Sequence, residues 1–181
     1  MTESETLQKV RRRASEVAAQ YAGDAERPLS GYALTMGTYV GTAALLLAAS
    51  RLAGADIPER PAWSDLALSA LATFKLSRLI AKDPVTSPLR APFTRFRGRT
   101  GPSELAEEPR DDSSLRHSVG ELVSCPFCLS QWIATGLIGG LVLAPRFTRM
   151  ATATFSVIAV SDFLQFARTA AEQATGETGE G

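Results

Sequence analysis

Two cysteines stand as Cys125-Pro126-Phe127-Cys128, the only two in 181 residues. A pair at this spacing can cycle between dithiol and disulfide, or supply half of a tetrahedral zinc site. Proline in its second position suits the first turn of a helix, so the pair is expected at a helix N-terminus. There the open backbone N–H groups and the positive end of the dipole favour thiolate at the first sulfur. The redox reading therefore makes Cys125 the attacking thiolate and Cys128 the resolving thiol. The zinc reading needs two more ligands, and the neighbouring sequence offers only His117 and Glu121, unless two chains each bring a pair. A third reading has both cysteines as small residues packing a helix end.

A second set of residues with chemical potential is Lys75, Arg78, Asp83 and Asp162. The first two and the last interrupt segments that are otherwise apolar. At 100° per residue Lys75, Arg78 and Lys82 fall within about 60° of one another and form one basic stripe. Counted at 1.5 Å per residue from the helix ends, Lys75 lies about 10 Å, Arg78 about 6 Å and Asp162 about 9 Å into the layer. An unpaired charge at that depth costs several kcal/mol, so Asp162 is expected to pair with Lys75 or Arg78. The basic pair can also reach the surface by snorkelling. A proton or ion path through these groups is the transporter reading.

These residues are set in a chain organised by its apolar blocks. Leu29 to Ser50 holds no charged side chain over 22 residues, enough to cross a bilayer as a helix. Its length and distance from the start argue for a retained span rather than a cleaved signal. Further spans are expected at about 63–81, 125–144 and 150–167, because in lipid only helices or closed barrels satisfy the backbone. The expected fold is thus all-α, an integral membrane four-helix bundle. Residues 1–28 form a polar tail with a basic cluster at Lys9 to Arg13, and 29–168 the membrane domain. Residues 82–124 form a long loop, and 169–181 a disordered tail. In that loop Arg90, Arg95, Arg97 and Arg99 alternate with Phe93 and Phe96, a composition suited to anionic headgroups or solvent. The acidic stretch from Gly101 to Ser114 reads as mobile. Leu115, Val119, Leu122 and Val123 then follow helical spacing. Gly136, Gly139 and Gly140 give the third span a small-residue surface.

Orientation follows from basic residues. With the N-terminus inside, the inner side holds 13, from Lys9 to Arg168, against Arg51, Arg60, Arg146 and Arg149 outside. The positive-inside rule places both termini and the long loop in the cytoplasm. Lysine plus arginine equals aspartate plus glutamate at 19 each, so net charge points to no nucleic-acid partner, and no nucleic-acid module surrounds the arginines. No P-loop, catalytic triad or HExxH pattern is present, which leaves hydrolase chemistry without a nucleophile or metal.

Two blocks, ALATFKLSRLIAKDPVTSPLR and GELVSCPFCLSQWIA, give the chain its resemblance to a known family. It resembles the small bacterial membrane proteins of domain of unknown function 1360. Thr73, Phe74, Leu76, Arg78, Leu79 and Asp83 match the first block of that family, with Lys75 for its Arg and Ser77 for its Thr. Gly120, Leu122, Cys125, Cys128 and Trp132 match the second. The resemblance spans about Tyr32 to Arg168 and implies a compact multi-span membrane protein without implying an activity. The four cysteine-motif residues are also similar to a glutaredoxin active site, but the strand and helix pattern of that fold is absent.

The sequence thus predicts a non-enzymatic membrane component or accessory protein whose cytoplasmic face binds a partner, a second copy or another membrane protein, besides the lipid bilayer. No cofactor is expected on this reading. The alternatives are a membrane thiol–disulfide oxidoreductase or zinc-binding protein using Cys125 and Cys128, with His117 as a further zinc ligand, and a small transporter using Asp162.

Overall fold

A computed structural model describes residues 3–22, 29–101 and 103–176. The chain forms α1 (Glu3–Ala22), α2 (Leu29–Leu52) and α3 (Trp63–Lys82), then a 3-10 turn (Pro84–Thr86) and the short α4 (Ser87–Arg90). Strands β1 (Thr94–Gly101) and β2 (Glu104–Pro109) follow, and then α5 (Ser114–Ser124), α6 (Pro126–Leu143) and α7 (Pro145–Gly176). The molecule is mainly helical, but the expectation of an all-α fold is corrected by the β1–β2 hairpin.

Helices α2, α6 and α7 are long and apolar enough to cross a membrane. Their surfaces support that reading: Leu34, Met36, Val40, Leu45, Val157, Phe163, Leu164 and Phe166 are all exposed in the isolated chain. So much exposed apolar surface suits lipid rather than water. The expected second span, 63–81, coincides with α3 but does not join those three, because Asp65, Lys75, Arg78 and Lys82 interrupt its apolar run.

Helix α3 nevertheless packs between α6 and α7. Along α3 and α7 the partners rise together: Asp65 with Arg149, Leu68 with Ser156, and Lys75 with Asp162, so the two helices run parallel. Small residues line the contact. Ser69, Ala72, Ser77 and Ala81 are buried on α3, and Thr148, Thr152, Ser156 and Ala159 on α7. Such residues let backbones approach closely, and Ser156 Oγ donates across the contact to the Leu68 carbonyl at 2.8 Å. Helix α2 lies against α6 and α5, again parallel to α6: Tyr39 meets Trp132 edge-on at 5.2 Å and Thr135 through a 2.8 Å hydroxyl contact. The spatial order is therefore α2, α6, α3, α7. The single residue Ala144 joins α6 to α7, and the turn is tight enough that a Cβ on Gly140 would lie 2.7 Å from Thr148 Oγ1.

The largest departure from expectation lies between α3 and α6. Residues 101–114, expected to be a mobile acidic loop, supply β2, which pairs antiparallel with the arginine-rich β1. The acidic half is the electrostatic complement of the basic half: Arg97 binds Glu108 at 2.6 Å and Arg95 binds Asp112 at 3.2 Å. At the two ends, the expected polar tail carries the exposed helix α1, with Arg12 and Glu16 paired one turn apart. The expected disordered tail is helical through Gly176, while residues 23–28 and 177–181 lie outside the described residues.

Helix α5 joins the hairpin to the bundle. Its Gly120 sits where a Cβ would come within 2.5 Å of the Phe93 carbonyl and 3.0 Å of Pro109. Gly120→Ala therefore forces the hairpin off α5, and overpacking of this kind costs about 1–3 kcal/mol. A lower unfolding midpoint of the detergent-solubilised protein is expected for Gly120→Ala, while Gly136→Ala, which meets open space, leaves it unchanged or raised.

Candidate functional site

The residues with chemical potential gather at one end of the bundle, where α3 stops, the hairpin turns back, and α5 hands over to α6. The end of α3 is closed by side chains, as a helix terminus with orphan carbonyls requires. Thr86 Oγ1 donates to the Leu79 carbonyl at 2.5 Å, and Asp83 Oδ1 accepts the Val85 N–H at 2.9 Å to start the 3-10 turn. Asp83 is therefore a cap.

Arg90 completes the closure. Its guanidinium, 0% exposed, donates through Nη1 to the Ile80 carbonyl at 2.6 Å and to Thr86 Oγ1 at 2.6 Å, and through Nη2 to the Asp83 carbonyl at 3.1 Å. Its remaining side grips Glu107 in a fork, Nε to Oε2 at 2.7 Å and Nη2 to Oε1 at 3.0 Å. Thr94 Oγ1 donates to the same carboxylate at 3.0 Å. Burial is the largest single influence on Glu107 and pushes its pKa up. The Arg90 and Thr94 hydrogen bonds and the Arg90 and Lys82 charges together outweigh it and hold the carboxyl below its ordinary value. The sequence pattern groups Arg90 with the arginines suited to headgroups or solvent, and Glu107 with the mobile acidic loop. Their one legible signal was that the basic and acidic halves of the connection match in sign.

Of the charges set in apolar segments, Lys75 Nζ donates to Asp162 Oδ2 at 2.6 Å, one of the two pairings expected of Asp162. Arg78 instead binds Glu104, at the start of β2, and its guanidinium lies 5.8 Å over the Phe74 ring. Phe74 stacks in turn on Phe163 at 5.3 Å, beside Asp162. Lys75, Arg78, Asp83 and Asp162 are thus divided between two ion pairs and a cap, not joined in one cluster.

Cys125 is the residue at which α5 ends and α6 begins: its N–H reaches the Leu122 carbonyl, and its Sγ accepts the Cys128 N–H at 3.3 Å as the N-cap of α6. Both thiols are free, and Cys128 Sγ lies 2.8 Å from Cys125 Sγ. Cys128 is exposed, Cys125 half-buried, and Phe127 between them 88% exposed. His117 points to a different network. Its Nδ1 lies 2.8 Å from Asp111 Oδ1 and its Nε2 3.5 Å from Glu121 Oε1, while Tyr32 of α2 donates to Glu121 Oε2 at 2.5 Å. Among the described residues no group of three or more His, Cys, Asp or Glu side chains is placed to hold a metal ion.

The sequence matches one family model, described as a protein of unknown function (DUF1360), over residues 68–168. No significant match to a curated protein or to a solved structure is found. The matched stretch begins inside α3 and takes in the α3 cap, the hairpin, the cysteine pair and the Lys75–Asp162 pair.

Two predictions follow from these ion pairs. Because the carboxyl of Glu107 is lowered by folding, its pairing with Arg90 is complete above the ordinary glutamate value of 4.5 and is lost as pH falls through the lower folded value. The unfolding midpoint should drop below pH 4.5, and Glu107→Gln should lower the midpoint at pH 7 and flatten that acid limb. Breaking one side of a buried pair costs about 3–5 kcal/mol. In the second case, Asp162→Asn leaves Lys75 unpaired and should lower folded yield, whereas Lys75→Met with Asp162→Leu should restore it. Failure of the double variant to recover would show that the charges serve something other than packing.

Proposed function

Because this chain belongs to the DUF1360 family, whose members are proteins of unknown function, we propose from its geometry that it is a membrane component of four crossing helices, with a rigid cytoplasmic platform that docks a membrane-associated partner protein. The observation that carries this reading is the seating of the hairpin: Arg90 and Glu107 fix it to the end of α3, so the long connection is a built surface instead of a slack link. That surface presents Phe96, 65% exposed, beside Arg97 and Arg99. A rigid exposed aromatic flanked by arginine is the kind of group that anchors protein interfaces, since little entropy is lost in fixing it.

The four-span reading rests on α3. It lies between two apolar helices, runs parallel to α7 along its length, and has Asp65 and Lys75 matched by Arg149 and Asp162 of that helix. Matched charges remove much of the cost of placing α3 in lipid. Both ends of the chain, the hairpin and α5 then lie on the basic inner side, with the 53–62 link and the Ala144 turn outside. Arg95 and Arg97 are matched by Asp112 and Glu108, which favours a protein partner over a polyanion such as nucleic acid.

Single cysteines introduced at Thr100 and at Pro58, in a Cys125→Ser/Cys128→Ser background, test the topology. Thr100→Cys should label in inverted vesicles and Pro58→Cys in intact cells; the reverse pattern overturns the orientation. A photo-crosslinking phenylalanine analogue at position 96 should give one discrete protein adduct in cells, lost when Glu107→Gln loosens the hairpin. Adducts to lipid alone would overturn the docking role.

A further inference from the structure

The platform does not use the cysteine pair, and the geometry of that pair is specific. Two donors converge on one sulfur: the Cys128 N–H at 3.3 Å and the Cys128 thiol at 2.8 Å both approach Cys125 Sγ. Both contacts make Cys125 Sγ the accepting sulfur at the start of α6, so Cys125 is the sulfur placed to attack and Cys128 the one placed to resolve. Neither thiol is sealed in a core, since Cys128 is exposed and Cys125 half-buried. Helix α6 is capped by the same sulfur, so the pair is held in register by the backbone and does not depend on a flexible loop.

We propose that Cys125 and Cys128 form a thiol–disulfide exchange site, with Cys125 the attacking sulfur and Cys128 the resolving one, acting on polypeptide disulfides flanked by apolar residues. Cys125 thiolate attacks one sulfur of R–S–S–R′, forming Cys125–S–S–R and releasing R′–S⁻, which takes a proton from water. Cys128 then loses its proton to water and attacks Cys125 Sγ, expelling R–S⁻. The two protein thiols are oxidised by two electrons to one disulfide, and the substrate disulfide is reduced to two thiols. Phe127, 88% exposed between the two cysteines, offers the apolar contact that selects a polypeptide over a small polar disulfide. The proposal is independent of the docking role, because no residue of the hairpin takes part.

The test uses the full chain in detergent or nanodiscs. It is incubated with oxidised glutathione, or with a cysteine-linked peptide dimer carrying leucine beside the cysteine, then quenched in acid and alkylated for mass analysis. Both thiols should disappear together, giving an intramolecular disulfide. Cys128→Ser should accumulate the mixed disulfide at Cys125 about tenfold more than Cys125→Ser does at Cys128. The peptide should react faster than glutathione, and Phe127→Ala should abolish that preference. Trapping mainly at Cys128, no thiol loss with either disulfide, or alkylation that occurs only after a zinc chelator would each overturn the proposal. Unchanged unfolding midpoints in both serine variants show that the trapped species come from folded protein.

Discussion

A buried helix end must satisfy its last carbonyls without relying on water, and here Thr86 and one buried guanidinium do so. Arg90 binds the Ile80 and Asp83 carbonyls on one side and the Glu107 carboxylate on the other. An arginine can serve both because its five donors form a planar fork matched to a carboxylate, which a lysine cannot reproduce. Removing either partner would strand a charge inside the protein, so the pair acts as a constraint more than as a source of net stability. The consequences run outward along the chain. Glu107 fixes β2, β2 carries Pro109 against Gly120, and α5 is thereby set at the angle from which Cys125 starts α6.

Within the bundle, different physics holds the helices together. Lipid tails are as apolar as leucine, so apolar burial between spans contributes little, and contact depends on close backbone approach and polar links. The α3–α7 contact follows that rule: Ala72 and Ala159 are fully buried, Ser156 bonds the Leu68 carbonyl, and Lys75 meets Asp162. The large side chains Leu164 and Phe166 face outward instead, the inverse of a water-soluble bundle.

What could be read in the sequence was what depends on local pattern. The apolar block at 29–50 lies within α2, the proline after Cys125 marks the start of α6, and depth counting paired Asp162 with one of two basic residues. What could not be read was pairing between distant segments. Nothing local shows that FTRFRGRT will zip to ELAEEP, because strands this short and charged carry no apolar alternation. Arg90 looked like its exposed neighbours Arg95 and Arg97, although it alone sits where α4 turns it under the end of α3. Proximity in sequence makes His117 a candidate metal ligand, yet α5 directs its ring to Asp111 and Glu121.

The matching of charges also bears on how the bundle assembles. On the four-span reading, α2, α6 and α7 have enough apolar length to settle in lipid alone, whereas α3, translated before α6 and α7, does not. Its partners arrive later: Asp162 and Arg149 come from α7, and Glu104 from the hairpin. Until they arrive, Lys75 and Arg78 must snorkel towards the inner surface and Asp65 towards the outer one. Each later pairing replaces a hydrated charge with a fixed contact between two elements, so the docking of α7 and the final seating of α3 are a single coupled step. The charges that weaken α3 as an independent span are thus the ones that select its neighbour and its register.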